Sequence, residues 1–184
     1  MMKTLVFLLE ERSAQALLEG LLPRILPPDV TPFYVVFEGK QDLEKQLEKR
    51  LRGWRRPDSI FLVLRDQDSG DCHQIKQKLA TICVNAGKPE AIVRIACREL
   101  ESWYLGDLVA VEKALSIAGL SKHANAAKFR VPDRLGNPSE ELRKLTRGRY
   151  EKIAGSRAIG PLLNLEKNLS RSFQVLLQAL RRIH

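Results

Sequence analysis

The chain has 184 residues, 44% hydrophobic and 29% charged, with a formal net charge of +9 and a pI near 9.7. This length suits one domain, or one domain with an extension, and the hydrophobic share fills a core, which excludes a disordered or fibrous chain. No run approaches the roughly 18 consecutive apolar residues of a membrane helix, so a soluble cytoplasmic protein with no membrane contact is expected.

The segment 3–9, KTLVFLL, reads as a buried strand. It is too short for a signal-peptide core, and Glu10, Glu11 and Arg12 follow it at once. Ala14, Leu17, Leu18, Leu21, Leu22 and Ile25 then recur at helical spacing until Pro27 and Pro28. PFYVVFE, 32–38, predicts a second strand, and Leu43, Leu47, Leu51 and Trp54 an amphipathic helix closed by Gly53 and Pro57. SIFLVL, 59–64, is a third strand. Ser69 or Asp71 can cap the following helix of Ile75, Leu79 and Ile82, which Gly87 and Pro89 end. AIVRIA, 91–96, is the fourth strand.

Continuous rather than alternating apolar strands, separated by helices, predict a mostly parallel four-stranded sheet flanked by helices, an α/β fold of Rossmann-like type. After residue 99 the pattern turns helical. LESWYLGDLVAVEKALSIAGL predicts helix with a break and cap at Gly106 and Asp107. Residues 121–138 read as an irregular basic loop, Ser139 starts another helix, and Leu165, Leu169, Leu176, Leu180 and Ile183 predict a last one. The expected organisation is an α/β domain over 1–105 and a helical, basic extension over 106–184 packed on it.

The positive charge is localised. Residues 121–160 hold ten basic side chains against four acidic ones, and residues 40–58 seven against four, so these two segments account for the whole excess. Such patches attract a polyanion, and nucleic acid is the expected partner. Acidic residues collect elsewhere, at the strand ends where open parallel sheets bind ligands: Glu10 and Glu11, Glu38, then Asp66, Asp68 and Asp71, then Glu99 and Glu101. Two like charges 4 Å apart repel by about 4 kcal/mol at an effective dielectric of 20, so such a cluster takes up protons or binds a cation. Hard oxygen ligands suit Mg²⁺ or Mn²⁺.

Several residues have plainer roles. Asp71 and Asp107 read as helix caps, Glu11 and Glu38 as solvated carboxylates, and Trp54, Trp103 and Tyr104 as core. His73, His123 and His184 form no triad, and no GxSxG, GxxxxGK[ST] or GxGxxG is present. Cys72, Cys83 and Cys97 form no CxxC pair, so reduced, mostly buried thiols are expected.

A glutamate after the first strand and a DxD after the third (Glu10, Asp66 and Asp68) resemble the Toprim domain of topoisomerases, primases and overcoming-lysogenisation-defect nucleases. RELESWYLGD, Arg98 to Asp107, and YEKIAGSRAIGPLLNL, Tyr150 to Leu165, resemble an uncharacterised Toprim-like family with a RELEAW-type motif. That resemblance implies a Mg²⁺- or Mn²⁺-dependent nuclease of DNA or RNA, acting in anti-phage defence beside an ATPase partner. It implies Glu10, Asp66, Asp68 and Glu99 or Glu101 as metal ligands, Glu10, Asp66 and Asp68 as catalytic groups, and Lys152 against the scissile phosphate. The first motif departs from the usual E-G-x-x-E: the text is Glu10-Glu11-Arg12-Ser13-Ala14, so the glycine and second acid are missing. A non-catalytic Toprim scaffold docking on an ATPase is the competing expectation. A small-molecule phosphatase is a third, disfavoured because its DxD usually follows the first strand.

Overall fold

The computed structural model describes residues 2–183. Its four strands, β1 (Lys3–Leu9), β2 (Val30–Val36), β3 (Ser59–Asp66) and β4 (Ile92–Ala96), form one all-parallel sheet in the order β2-β1-β3-β4. The expected α/β fold with a helical C-terminal part is therefore present. β1 pairs Leu9 with Val36 on one side and Leu64 on the other, and β3 pairs Asp66 with Ala96. The chain runs from β1 outward to β2, then back across to β3. The crevice between the carboxyl ends of β1 and β3 is thus the topological switch point, where Glu10 and Asp66 emerge.

Each face of the sheet carries its own core. Val6, Leu8, Phe61 and Val63 face α2 (Lys40–Arg52) and α3 (Cys72–Asn85), whose Leu43, Leu47, Leu51 and Leu79 are fully buried. Truncating any one of these leucines to alanine costs about 2–5 kcal/mol. Leu5, Phe7, Leu9, Leu62 and Leu64 face the other way. They pack with α1 (Arg12–Leu21) and with residues of α4 (Glu101–Leu105), α5 (Leu108–Leu115), α6 (Pro138–Leu145), α7 (Lys152–Ile159) and α8 (Arg171–Leu180) in one continuous core. Trp103 and Tyr104 lie wholly inside it, while Trp54 is half-buried between Phe33 and Phe61.

β2 is an edge strand, which explains a proline within it. Phe37 donates its amide to Leu9 inward. By the alternation of a strand, the missing N–H of Pro32 therefore falls on the open side, where it breaks no ladder bond. The strand runs over 30–36 rather than the expected 32–38, because Gly39, at φ 96°, already turns the chain toward α2.

Asp71 and Asp107 are caps, as their positions suggested: they accept from the amides of Gln74 at 2.8 Å and Ala110 at 3.1 Å. The basic stretch after α5 is ordered by short 3-10 turns at Leu120–His123, Ala127–Phe129 and Pro132–Arg134. α6 begins at Pro138, one residue before the expected Ser139. The last helix is shorter than its leucine spacing implied. It starts at Arg171 because the Ser170 hydroxyl caps it, while Asp133 binds both that hydroxyl and the Ser172 amide. α7 is an element that the sequence did not reveal. Its successor Gly160 lets the chain approach α1 so closely that a Cβ there would lie 2.5 Å from the Leu17 carbonyl oxygen. His184 lies outside the described residues.

Candidate functional site

The switch-point crevice gathers Glu10, Glu11, Asp66, Glu101 and Lys152 from β1, β3, α4 and α7. Glu10 leaves β1 and turns its carboxylate across to β3, where Oε2 accepts the Asp66 amide at 3.0 Å. Arg65 approaches the same oxygen at 4.0 Å from a side chain only 7% exposed, and pairs on its other side with Glu44. Burial pushes the Glu10 carboxyl above its ordinary value against the pull of the Asp66 amide; Asp68 and Glu11 add to the rise and Arg65 opposes it.

Asp66 ends β3 with its carboxylate aimed among acids. Among the described residues that carboxylate takes no hydrogen bond or ion pair. Although the residue keeps some solvent exposure, burial of its carboxyl is the main cause of a strong upward pKa shift, followed by Glu101, Glu11 and Glu10. Lys152 opposes the shift.

Glu101 opens α4 and is 1% exposed. Its Oε1 accepts the Tyr150 hydroxyl at 2.9 Å, while Oε2 is buried with no hydrogen-bond partner. Burial raises its pKa; Lys152, the Tyr150 hydroxyl and the residue's own backbone amide oppose that, and Glu99 adds to it. An orphaned buried carboxylate oxygen costs about 1–3 kcal/mol or more, so it marks a site that lacks a partner. Tyr150 reaches Glu101 because Gly155 on α7 carries no side chain: a Cβ there would lie 2.4 Å from the ring.

Lys152, the first residue of α7, is the cation of the group. Its ammonium lies 3.3 Å from Glu11 Oε2, and Glu11 also accepts the Ser13 hydroxyl. Burial alone would lower the Lys152 pKa; Glu101, Glu11 and Asp66 outweigh it and hold the pKa above its ordinary value.

Two expected ligands already have partners of their own, although Asp68 stays near enough to Glu10 to raise its pKa. Asp68, in a left-handed conformation at φ 54°, pairs with Lys40 at 2.7 Å on the outer rim. Glu99 accepts the Ser139 amide at 2.7 Å, filling the N-terminus of α6. Ala14 is 5% exposed and packs into the core, so the missing second acid of the first motif has no local substitute on α1. Glu11 was read as solvated, yet it is half-buried and bound to Lys152. The sequence also offered Glu11, with Glu101, as the acid that could replace the one missing from the first motif.

Among the described residues no three His, Cys, Asp or Glu side chains form a ready-made cation cage. The donor chemistry nonetheless fits a hard divalent ion: Asp66 is unpaired, Glu101 Oε2 is orphaned, and all donors are carboxylate oxygens. A cation would have to draw side chains together that mutual repulsion now separates. Beside this centre, Arg143, Lys144 and Arg147 line an open cleft of about 710 Å³ with Glu99 in its wall. Two more apolar clefts flank β2, one beside Trp54 and one beside Tyr34, away from the carboxylates.

An all-parallel four-stranded sheet flanked by helices, with carboxylates at its switch point, makes this an α/β protein. A family model described as a domain of unknown function (DUF4276) matches residues 9–181, and the chain belongs to that family. No curated protein and no solved structure matches it. No helix among the described residues is long and apolar enough to cross a membrane.

Proposed function

We propose that the protein is a Toprim-like nuclease that cleaves phosphodiester bonds of DNA or RNA with Mg²⁺ or Mn²⁺. The observation that carries this reading is the Glu101 carboxylate, buried with Oε2 unpartnered beside the unpaired Asp66. A buried carboxylate oxygen without a partner costs stability, and carboxyls with pKa values raised by burial concentrate at functional sites. Asp66 and Glu101 would hold the ion, with Glu10 and Glu11 supporting them. When bound, the ion would supply polarisation of a phosphoryl oxygen and activation of the attacking water.

The protein's own side chains do the rest. Lys152 presents an ammonium, kept charged by Glu101, Glu11 and Asp66, for the non-bridging oxygens of the phosphate. Arg143, Lys144 and Arg147 in their cleft, with the basic residues of α2, hold the polyanion by charge. Asp68 and Glu99 position the rim through Lys40 and α6 rather than binding the ion. The RELESW resemblance extends the reading to an ATPase partner in anti-phage defence.

The test is cleavage of plasmid, single-stranded DNA and RNA with Mg²⁺ or Mn²⁺. Asp66→Asn and Glu101→Gln should lose at least about 100-fold, comparable to removal of a major electrostatic contributor in other enzymes. Variants as active as the wild type would end the proposal. A non-catalytic scaffold docking on an ATPase is the second reading, favoured by Ala14 in the core and by Lys40 neutralising Asp68. Manganese binding at Asp66 without cleavage of any substrate would support it.

A further inference from the structure

The cleft beside Trp54 lies between α2 and the edge strand β2 and measures about 550 Å³. Three aromatic rings meet there. Phe33 packs edge-on against Trp54 with ring centroids 5.2 Å apart, and Trp54 meets Phe61 the same way at 5.9 Å. The indole is held in place, because its Nε1 donates to the Ser59 hydroxyl at 2.8 Å. Phe33 is 45% exposed. A single exposed phenylalanine is ordinary, but one that walls a recess beside a fixed indole offers a flat π-face to whatever enters.

The rim of this cleft is cationic. Lys49 and Arg50 line it, and among the described residues neither side chain makes an ion pair or a hydrogen bond. Lys88 sits over the Phe61 ring at 5.1 Å, and the exposed Arg55 and Arg56 follow Trp54 at once. Among the described residues no carboxylate lines the cleft. α2 joins it to the carboxylate centre. The first residue of α2, Lys40, pairs with Asp68 at the rim of that centre, and the last, Arg52, lies two positions before Trp54. Thirteen helical residues span about 20 Å, and Lys45 and Lys49 stand one turn apart on the exposed side between those ends. Cations placed along such a length match a ligand whose negative charge repeats, as a phosphodiester backbone does.

We propose that this cleft takes one unpaired base of a single-stranded nucleic acid. The base stacks on Phe33 against the Trp54 wall, Lys49 and Arg50 hold the flanking phosphates, and the cations of α2 lead the strand toward the carboxylates. Aromatic platforms beside a basic groove bind single strands in this way, and they tolerate any sequence because every base has a π-face. A base inside a duplex is stacked on its neighbours and does not enter, so the cleft selects single strands. Base binding stands on the cleft alone; that the bound strand is the one cut rests on the proposed nuclease function.

Binding is measured on the full chain with a chelator present, so that no cleavage intervenes. The chain has two tryptophans and Trp103 is fully buried, so quenching of the indole fluorescence reports on Trp54. A short oligothymidylate should quench it, and an abasic oligomer of equal length should bind more weakly without quenching. Phe33→Ala should weaken single-strand binding about 5- to 100-fold and shrink its preference over duplex. Phe33→Tyr, which keeps the ring, should retain the affinity, and circular dichroism checks that both variants fold. Lys49→Ala with Arg50→Ala should flatten the slope of log affinity against log salt by about 1.4. Equal affinity for the abasic oligomer, or equal loss in Phe33→Ala and Phe33→Tyr, would overturn the stacking site. Equal quenching by thymidine monophosphate at the same concentration would make it a mononucleotide site, and tighter binding of an acidic aromatic peptide would make it a protein-docking surface. Either result would also overturn the proposal. Quenching without any cleavage once Mn²⁺ is added would refute the nuclease reading and leave the base site standing.

Discussion

Glu101→Gln separates a ligand carboxylate from a structural one. In the wild type, one oxygen of this 1%-exposed side chain accepts the Tyr150 hydroxyl and the other has no partner; burial raises its pKa, and its charge in turn raises that of Asp66. Glutamine keeps an acceptor for Tyr150, removes the charge, and places amide hydrogens where the orphaned oxygen faces acids. Relief of one unsatisfied buried group is worth about 2 kcal/mol. For a chain of this size that is about 4–8 °C in Tm. The assay is thermal unfolding at pH 8 with a chelator, then with Mn²⁺. Without metal the variant should melt above the wild type. With Mn²⁺ at about 100 times its Kd the wild type should gain about 2.7 kcal/mol, and the variant far less. A variant that melts lower without metal would show that the charged Tyr150–Glu101 bond stabilises the fold. An equal gain from Mn²⁺ in both would show that Glu101 is not a ligand. Either result refutes the reasoning.

Glu99→Ala should cost about 1 kcal/mol through the lost bond to the Ser139 amide, seen in urea unfolding, while cleavage stays within a few-fold of wild type. The folded pKa values of Glu10, Asp66 and Glu101 all lie above their ordinary 4.5, 3.8 and 4.5, so the stability tied to these groups is complete below those values. It is lost as pH rises through the folded values, and metal-free melts should therefore decline from pH 4 toward pH 8. Lys152→Met removes the cation that offsets these acids, so its Tm should fall more at pH 8 than at pH 4.5, where the acids are increasingly protonated. Gly155→Ala would drive a methyl into the Tyr150 ring, costing about 1–3 kcal/mol in chemical denaturation and loosening Glu101 from its hydroxyl partner.

The strands were legible because their signal is local. A run such as FLVL, bounded by turn residues, must be buried on both faces, and four such runs separated by helical patterns admit few arrangements other than a parallel sheet. The helix caps Asp71 and Asp107 were legible for the same reason, since a cap contacts residues two or three positions away. α7 was not, because KIAGSRAI carries only a weak apolar stripe. Its stability comes from close packing on α1, which no periodicity records.

The site divides along the same line. Sequence alone placed Glu10, Asp66, Asp68, Glu99 and Glu101 at strand ends, since an open sheet gathers its ligands there. It could not say which way each carboxylate turns. Sheet order set Glu10 beside Asp66, the position of α6 drew Glu99 away to the Ser139 amide, and Lys40 held Asp68 at the rim. Residues far apart in the chain, Tyr150 and Lys152 of the basic segment, completed the pocket around Glu101. Charge and hydrophobic pattern are properties of neighbours in sequence. Whether a buried carboxylate finds a partner depends on neighbours in space, and only the packing of α4 and α7 over the sheet decided that.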